Sequence, residues 1–125
     1  MKSFFIVFIG SGIGGAFRFI SQTWIAKLLP SAFPFGTFFV NILGCLLIGL
    51  FYAAAERQNI MTAEWRLALT TGFCGGFTTF SAFALENLNL LRNGDYLYFS
   101  LYTIGSVVLG ILAVIAGVAL SKVIA

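Results

Sequence analysis

Long apolar runs separated by short polar punctuation organise this chain. Four runs are long enough to cross a bilayer: about residues 4–26, 35–55, 67–91 and 96–121. A spanning helix needs about 20 consecutive apolar residues. The second and fourth runs carry no charge, the first is interrupted only by Arg18, and the third only by Glu86. The N-terminal Met1-Lys2-Ser3 before Phe4 has the polarity of a secretory leader. No small-x-small cleavage site follows, and Arg18 falls where one would lie. The segment is therefore read as a retained first span.

The connections between runs are short. Lys27 to Pro34 contains two prolines and ends the first span, and Glu56 to Glu64 is the longest polar stretch. Arg92-Asn93-Gly94-Asp95 is a tight turn whose Asn-Gly pair tolerates positive φ. Short links make consecutive spans antiparallel neighbours. The pattern predicts one four-span transmembrane unit over residues 1–125, all-α, with no soluble domain and no internal repeat.

Composition agrees with lipid as the solvent. Hydrophobic residues make up 60% of the chain and charged residues 9%, against roughly 25% charged in soluble domains. The net charge of +3 does not suggest nucleic acid, because the seven Lys and Arg residues are scattered singly. Cys45 and Cys74 fall inside spans, outside any C-x-x-C pair, and histidine is absent. Both cysteines read as packing residues, and thiolate or imidazole metal binding is not expected.

Positive charge gives little guidance on orientation. With four spans, one side holds Lys2, Arg57, Arg66 and Lys122; the other holds Lys27 and Arg92, with Arg18 nearest to it. This weak bias either fixes one orientation or permits insertion both ways. Insertion both ways allows an antiparallel dimer with its two-fold axis in the membrane plane.

Gly10-Ser11-Gly12-Ile13-Gly14-Gly15 matches G-x-G-x-x-G, the dinucleotide fingerprint. That fingerprint needs an acidic residue about 20 positions on, and the next acidic residue is Glu56. Close helix packing through the Gly10–Gly14 pair is the better reading.

Candidate chemistry concentrates in the third span. Gly75-Gly76 followed by Thr78-Thr79 combines residues that weaken a helix with side chains that bond freed backbone groups. Either the helix breaks near the bilayer centre or it is flexible and packed. Unwound backbone is tolerated there only when buried or lining a cavity, and its carbonyls suit a hard cation. Phe80 and Phe83 lie three apart on one face just past the break. Their ring edges carry weak positive potential, suited to a small anion. Asn41, on one face with Thr37, either donates to an anion or bonds across helices. The same choice holds for the stripe Tyr98, Tyr102 and Ser106. Arg18 and Glu86 either face a cavity, where Arg18 would concentrate anions in a vestibule, or pair with each other. These groups are donors without strong charge, and such multiple weak sites suit permeation.

At these residues a resemblance emerges. Gly12-Ile13-Gly14-Gly15 through Arg18, Gly36-Thr37 through Asn41-Ile42-Leu43-Gly44, and above all Thr71 to Phe83 followed by Glu86 are similar to the small bacterial fluoride channels of the Fluc or CrcB family. The similarity covers the whole chain; Cys74 stands where the family commonly has another apolar residue. The resemblance implies passive fluoride export across the bacterial inner membrane, lowering fluoride toxicity. It implies an antiparallel dual-topology homodimer with two pores. Phe80 and Phe83 would line each pore with ring edges, and Asn41 would donate to fluoride. Ser81, Thr37, Tyr102 and Ser106 would be further pore or polar-track residues, with Arg18 and Glu86 at the vestibule. A central structural sodium ion (Na+) would be held by Gly75 and Thr78 carbonyls from both chains.

Two other classes compete. A small proton-coupled multidrug exporter needs a carboxylate in its first span, where this chain has Arg18. A non-transporting packing subunit explains the glycines but not the Thr-rich third span. No nucleophile–base pair suggests an enzyme.

Overall fold

The computed structural model describes residues 1–58 and 61–124, and helices dominate it. Helix α1 is Lys2–Leu28, α2 is Phe35–Gln58, α3 is Ala63–Leu67, α4 is Gly75–Phe77, α5 is Phe80–Arg92 and α6 is Tyr96–Ile124. Between α3 and α4, residues Ala68–Cys74 wind as a wider π-helix. Among the described residues, four continuous or broken helical runs are long and apolar enough to cross a membrane: Lys2–Leu28, Phe35–Arg57, Ala63–Arg92 and Tyr96–Ile124. The four expected spans are all present; the first and third are longer at both ends, and the second and fourth begin as expected at Phe35 and Tyr96 and run a few residues further. Part of the polar stretch from Glu56 to Glu64 lies outside the described residues.

Helix is the expected form because lipid offers backbone groups no partners. The ends are capped where the chain turns. Thr62 accepts from the Trp65 N–H to open α3. Gly94, at φ 76°, lets the Leu91 and Leu90 carbonyls accept from the Gly94 and Asp95 N–H groups. This closes α5 in a left-handed residue that glycine adopts without strain.

Glycines set the closest approaches. A Cβ on Gly14 would collide with the Phe73 carbonyl, and one on Gly76 with the Ser11 backbone. The Gly10–Gly14 pair thus packs α1 against the third span, as close helix packing requires. Gly49 and Gly117 bring α2 and α6 together in the same way. Among the described residues, the largest fully buried side chains are Tyr102, Val40, Cys74 and Ser121. Large apolar residues such as Phe8, Trp24, Leu97 and Ile115 stay exposed, as a lipid-facing surface demands.

The third span breaks, as expected, and the break falls just past the paired glycines. Gly75 and Gly76 remain helical in α4. Thr78 (φ −91°, ψ 161°) and Thr79 (φ −149°, ψ 124°) are extended. Gly76 has a reason to stay helical: it lets the α1 backbone approach at Ser11.

Candidate functional site

The break frees backbone groups that must find partners. The Cys74 carbonyl accepts from both the Thr78 N–H and the Thr78 hydroxyl, at 3.0 and 2.9 Å. The Thr79 hydroxyl accepts from the Ala82 N–H at 3.2 Å and caps α5. Asn41, reaching from α2, closes a two-way bond with Thr79. Its Oδ1 accepts from the Thr79 N–H at 2.7 Å, and its Nδ2 donates to the Thr79 carbonyl at 3.0 Å. From α1, Arg18 Nε donates to the Gly76 carbonyl at 3.1 Å.

That leaves the carbonyls of Gly75, Phe77 and Thr78 accepting no hydrogen bond among the described residues. Gly75 is exposed, and no atom lies near a Cβ placed on it. Among the described residues, no three His, Cys, Asp or Glu side chains gather. A cation here would therefore rest on backbone oxygens. Hard cations such as sodium accept this donor set, and two of the three free carbonyls are those of Gly75 and Thr78.

A chain of side-chain bonds crosses the helices behind the break. Arg18 Nη1 donates to Gln22 Oε1 at 3.3 Å, and Gln22 Nε2 donates to the Thr37 hydroxyl at 3.0 Å. The Thr37 hydroxyl donates onward to Glu86 Oε2 at 2.8 Å. Tyr102, fully buried, donates to Glu86 Oε1 at 2.8 Å. Both carboxylate oxygens are thus satisfied, and Thr37 uses its single proton on Glu86. Arg18 and Glu86 do not pair directly; Gln22 and Thr37 stand between them.

An aromatic series runs beside this chain. Phe80 and Phe83 have ring centroids 5.7 Å apart, and Phe83 and Tyr102 4.9 Å apart. Phe33 meets Tyr102 and Tyr98 edge-on at 5.5 and 5.7 Å. Phe80 is 79% exposed, whereas Phe83 is half-buried against Tyr102.

The sequence candidates therefore separate into two places. Asn41, Gly75, Thr78, Phe80, Phe83 and Ser106 line one open groove of about 1240 Å³. The Ser106 hydroxyl is buried there without a partner among the described residues. Thr37, Tyr102, Glu86 and Arg18 form the bonded chain beside it, joined through the Phe83–Tyr102 contact. Ser81 is exposed on α5, its hydroxyl 3.5 Å from that of Thr79. Tyr98 contributes its ring against Phe33 rather than a hydroxyl bond. Gln22 escaped the sequence reading. Its place four residues after Arg18, one helical turn along an apolar span, was the available signal. Phe33, in the loop before α2, had no local signal.

Four apolar helical spans, one of them broken and lined with weak donors, define a multi-pass membrane protein whose candidate site lies within the spans. The profile described as CrcB-like protein, Camphor Resistance (CrcB) matches residues 5–118, and the chain belongs to this family. It is 50% identical over 122 residues to the "Fluoride-specific ion channel FluC" of Phocaeicola vulgatus, covering 98% of this chain and 100% of the relative. The protein of the same name from Bacteroides fragilis is 51% identical over 120 residues, 94% of each chain. That of Flavobacterium psychrophilum is 43% identical over 122 residues, 98% of each. Membership places the chain among multi-pass proteins of the bacterial inner membrane.

Proposed function

We propose that the protein is a fluoride-selective channel that lets fluoride leave the cytoplasm passively. The observation that carries this is a membrane-buried site of weak donors beside a broken helix, in a chain half identical to proteins named for that activity. Fluoride is strongly hydrated, so a selective pore must replace its water with several donors at once. Asn41, the Ser106 and Ser81 hydroxyls, and the Phe80 and Phe83 ring edges supply them without a charge that would trap the ion. Asn41 spends one N–H on the Thr79 carbonyl, and its amide keeps a second for an anion. The Thr37 and Tyr102 hydroxyls are committed to Glu86. Fluoride reaching either one takes the place of a carboxylate oxygen.

The driving force needs no coupling group. A membrane potential is worth about 2.3 kcal/mol per elementary charge per 100 mV, and an inside-negative potential expels anions. The chain is a transporter rather than an enzyme. A sodium ion bound by the Gly75 and Thr78 carbonyls of two chains would supply fixed positive charge and neutralise carbonyls the break leaves free. The working unit in this reading is an antiparallel homodimer with two pores. Two observations support it. The groove is open in a single chain and is lined by polar groups that lipid would leave unsatisfied. The positive residues outside the spans are also shared between the two membrane faces, Lys27 and Arg92 on one and Lys2, Arg57, Arg66 and Lys122 on the other.

Efflux tests the function. Liposomes holding the purified protein are loaded with potassium fluoride or potassium chloride, and a potassium ionophore is added. Fast fluoride release with little chloride release is expected. No fluoride release from folded protein would refute the channel. A proton-coupled exporter would instead move fluoride uphill in response to acidity.

A further inference from the structure

The broken segment Gly76 to Thr79 is held at both ends by side chains of other helices. Asn41 of α2 takes the Thr79 N–H and carbonyl, and Arg18 of α1 takes the Gly76 carbonyl. We propose that Arg18 is a positioning residue: its guanidinium fixes the Gly76 carbonyl, and with it the point where the third span stops being helical. A charge placed to attract anions needs only its sign. A clamp needs particular donors in particular places.

The geometry favours the clamp. The Gly76 carbonyl would ordinarily accept from the amide four residues on, but Thr78 and Thr79 leave the helix and Phe80 begins a new one. Without Arg18 this half-buried carbonyl has no partner among the described residues, a costly state within a membrane span. Ser11, Gly14 and Arg18 share one face of α1 at helical spacing. Gly76 packs on Ser11 and Gly14 on Phe73, so the same contact that needs the glycines delivers Arg18 to the break. The guanidinium is itself steered by a second bond, from Nη1 to Gln22 Oε1 at 3.3 Å, and Gln22 is anchored on Thr37. Two donors of one planar group thus serve two acceptors.

This construction makes Arg18→Lys decisive. Lysine keeps the charge, but it places a methylene where arginine has Nε, the atom that holds Gly76. The readout is amide hydrogen exchange at Thr78 and Thr79 in the full-length protein, beside the sodium concentration giving half-maximal fluoride flux. Loss of a charge-assisted hydrogen bond predicts exchange faster by roughly tenfold or more and a higher sodium requirement. Gln22→Leu loosens the guanidinium without touching Gly76 and should move both readouts in the same direction by less. It decides the matter if the lysine variant does not fold. Wild-type exchange at Thr78 and Thr79 in Arg18→Lys would overturn the proposal. So would Gln22→Leu with wild-type exchange where the lysine variant fails to fold. The sodium arm rests on the channel reading and the exchange arm does not. An absence of wild-type flux would therefore sink the channel while leaving the clamp to be judged by exchange alone.

Discussion

Replacing Thr37 with valine removes one hydroxyl and leaves the shape almost unchanged. Thr37 is 2% exposed, accepts from Gln22 Nε2 at 3.0 Å and donates to Glu86 Oε2 at 2.8 Å. A hydrogen bond to a charged group contributes about 1.5–3 kcal/mol. A neutral bond between membrane helices averages about 0.6 kcal/mol. Thr37→Val should therefore cost roughly 2–4 kcal/mol, most of it from the Glu86 oxygen left unpaired. Thr37→Ser keeps the hydroxyl and loses one methyl group, a loss of about 1 kcal/mol. The assay is equilibrium unfolding of the purified protein in detergent, with fluoride flux measured on the same preparations. Serine should recover most of the stability and flux that valine loses. If valine falls within about 0.5 kcal/mol of the wild type, the chain of bonds from Arg18 to Tyr102 does not pass through Thr37.

Three further outcomes follow from the geometry. Phe80→Ile should cut fluoride flux with little change in stability, because Phe80 is largely exposed; Phe83→Ile should cut flux and also cost about 1 kcal/mol by losing its contact with Tyr102. Unchanged flux in both would remove the ring-edge role. Gly14→Ala forces a methyl group onto the Phe73 carbonyl, backbone against backbone, and should destabilise the protein by about 1–3 kcal/mol in unfolding experiments. Exhaustive removal of sodium should abolish fluoride flux, and normal flux in strictly sodium-free protein would eliminate a required cation site.

Much of this architecture was legible because lipid simplifies the code. An apolar run of sufficient length must become a helix, so the four spans followed from hydropathy alone. The break was one of two readings of Gly75-Gly76 beside Thr78-Thr79, residues that weaken a helix next to residues that bond its freed groups; a flexible, packed helix was the other. Its location at Thr78 and Thr79 was not legible, because it depends on Ser11 pressing against Gly76 from another helix. The π-helix at Ala68–Cys74 had no signal either. Asn41 was recognisable as a polar group that lipid would not leave alone, but its partner, the Thr79 backbone, lies 38 positions away. Arg18 and Glu86 stood out as isolated charges. That they connect through Gln22 and Thr37 instead of touching is set by how α1, α2 and α5 pack, which no local pattern records.

A reversal potential separates selective, uncoupled fluoride conduction from every alternative. Purified protein in a planar bilayer is exposed to a tenfold fluoride gradient with chloride balancing the anions and pH equal on both sides. A fluoride channel gives a reversal near the fluoride equilibrium potential, about 59 mV for a monovalent ion, unmoved when a pH gradient is added. A reversal near zero, or one that follows the pH gradient, would contradict it.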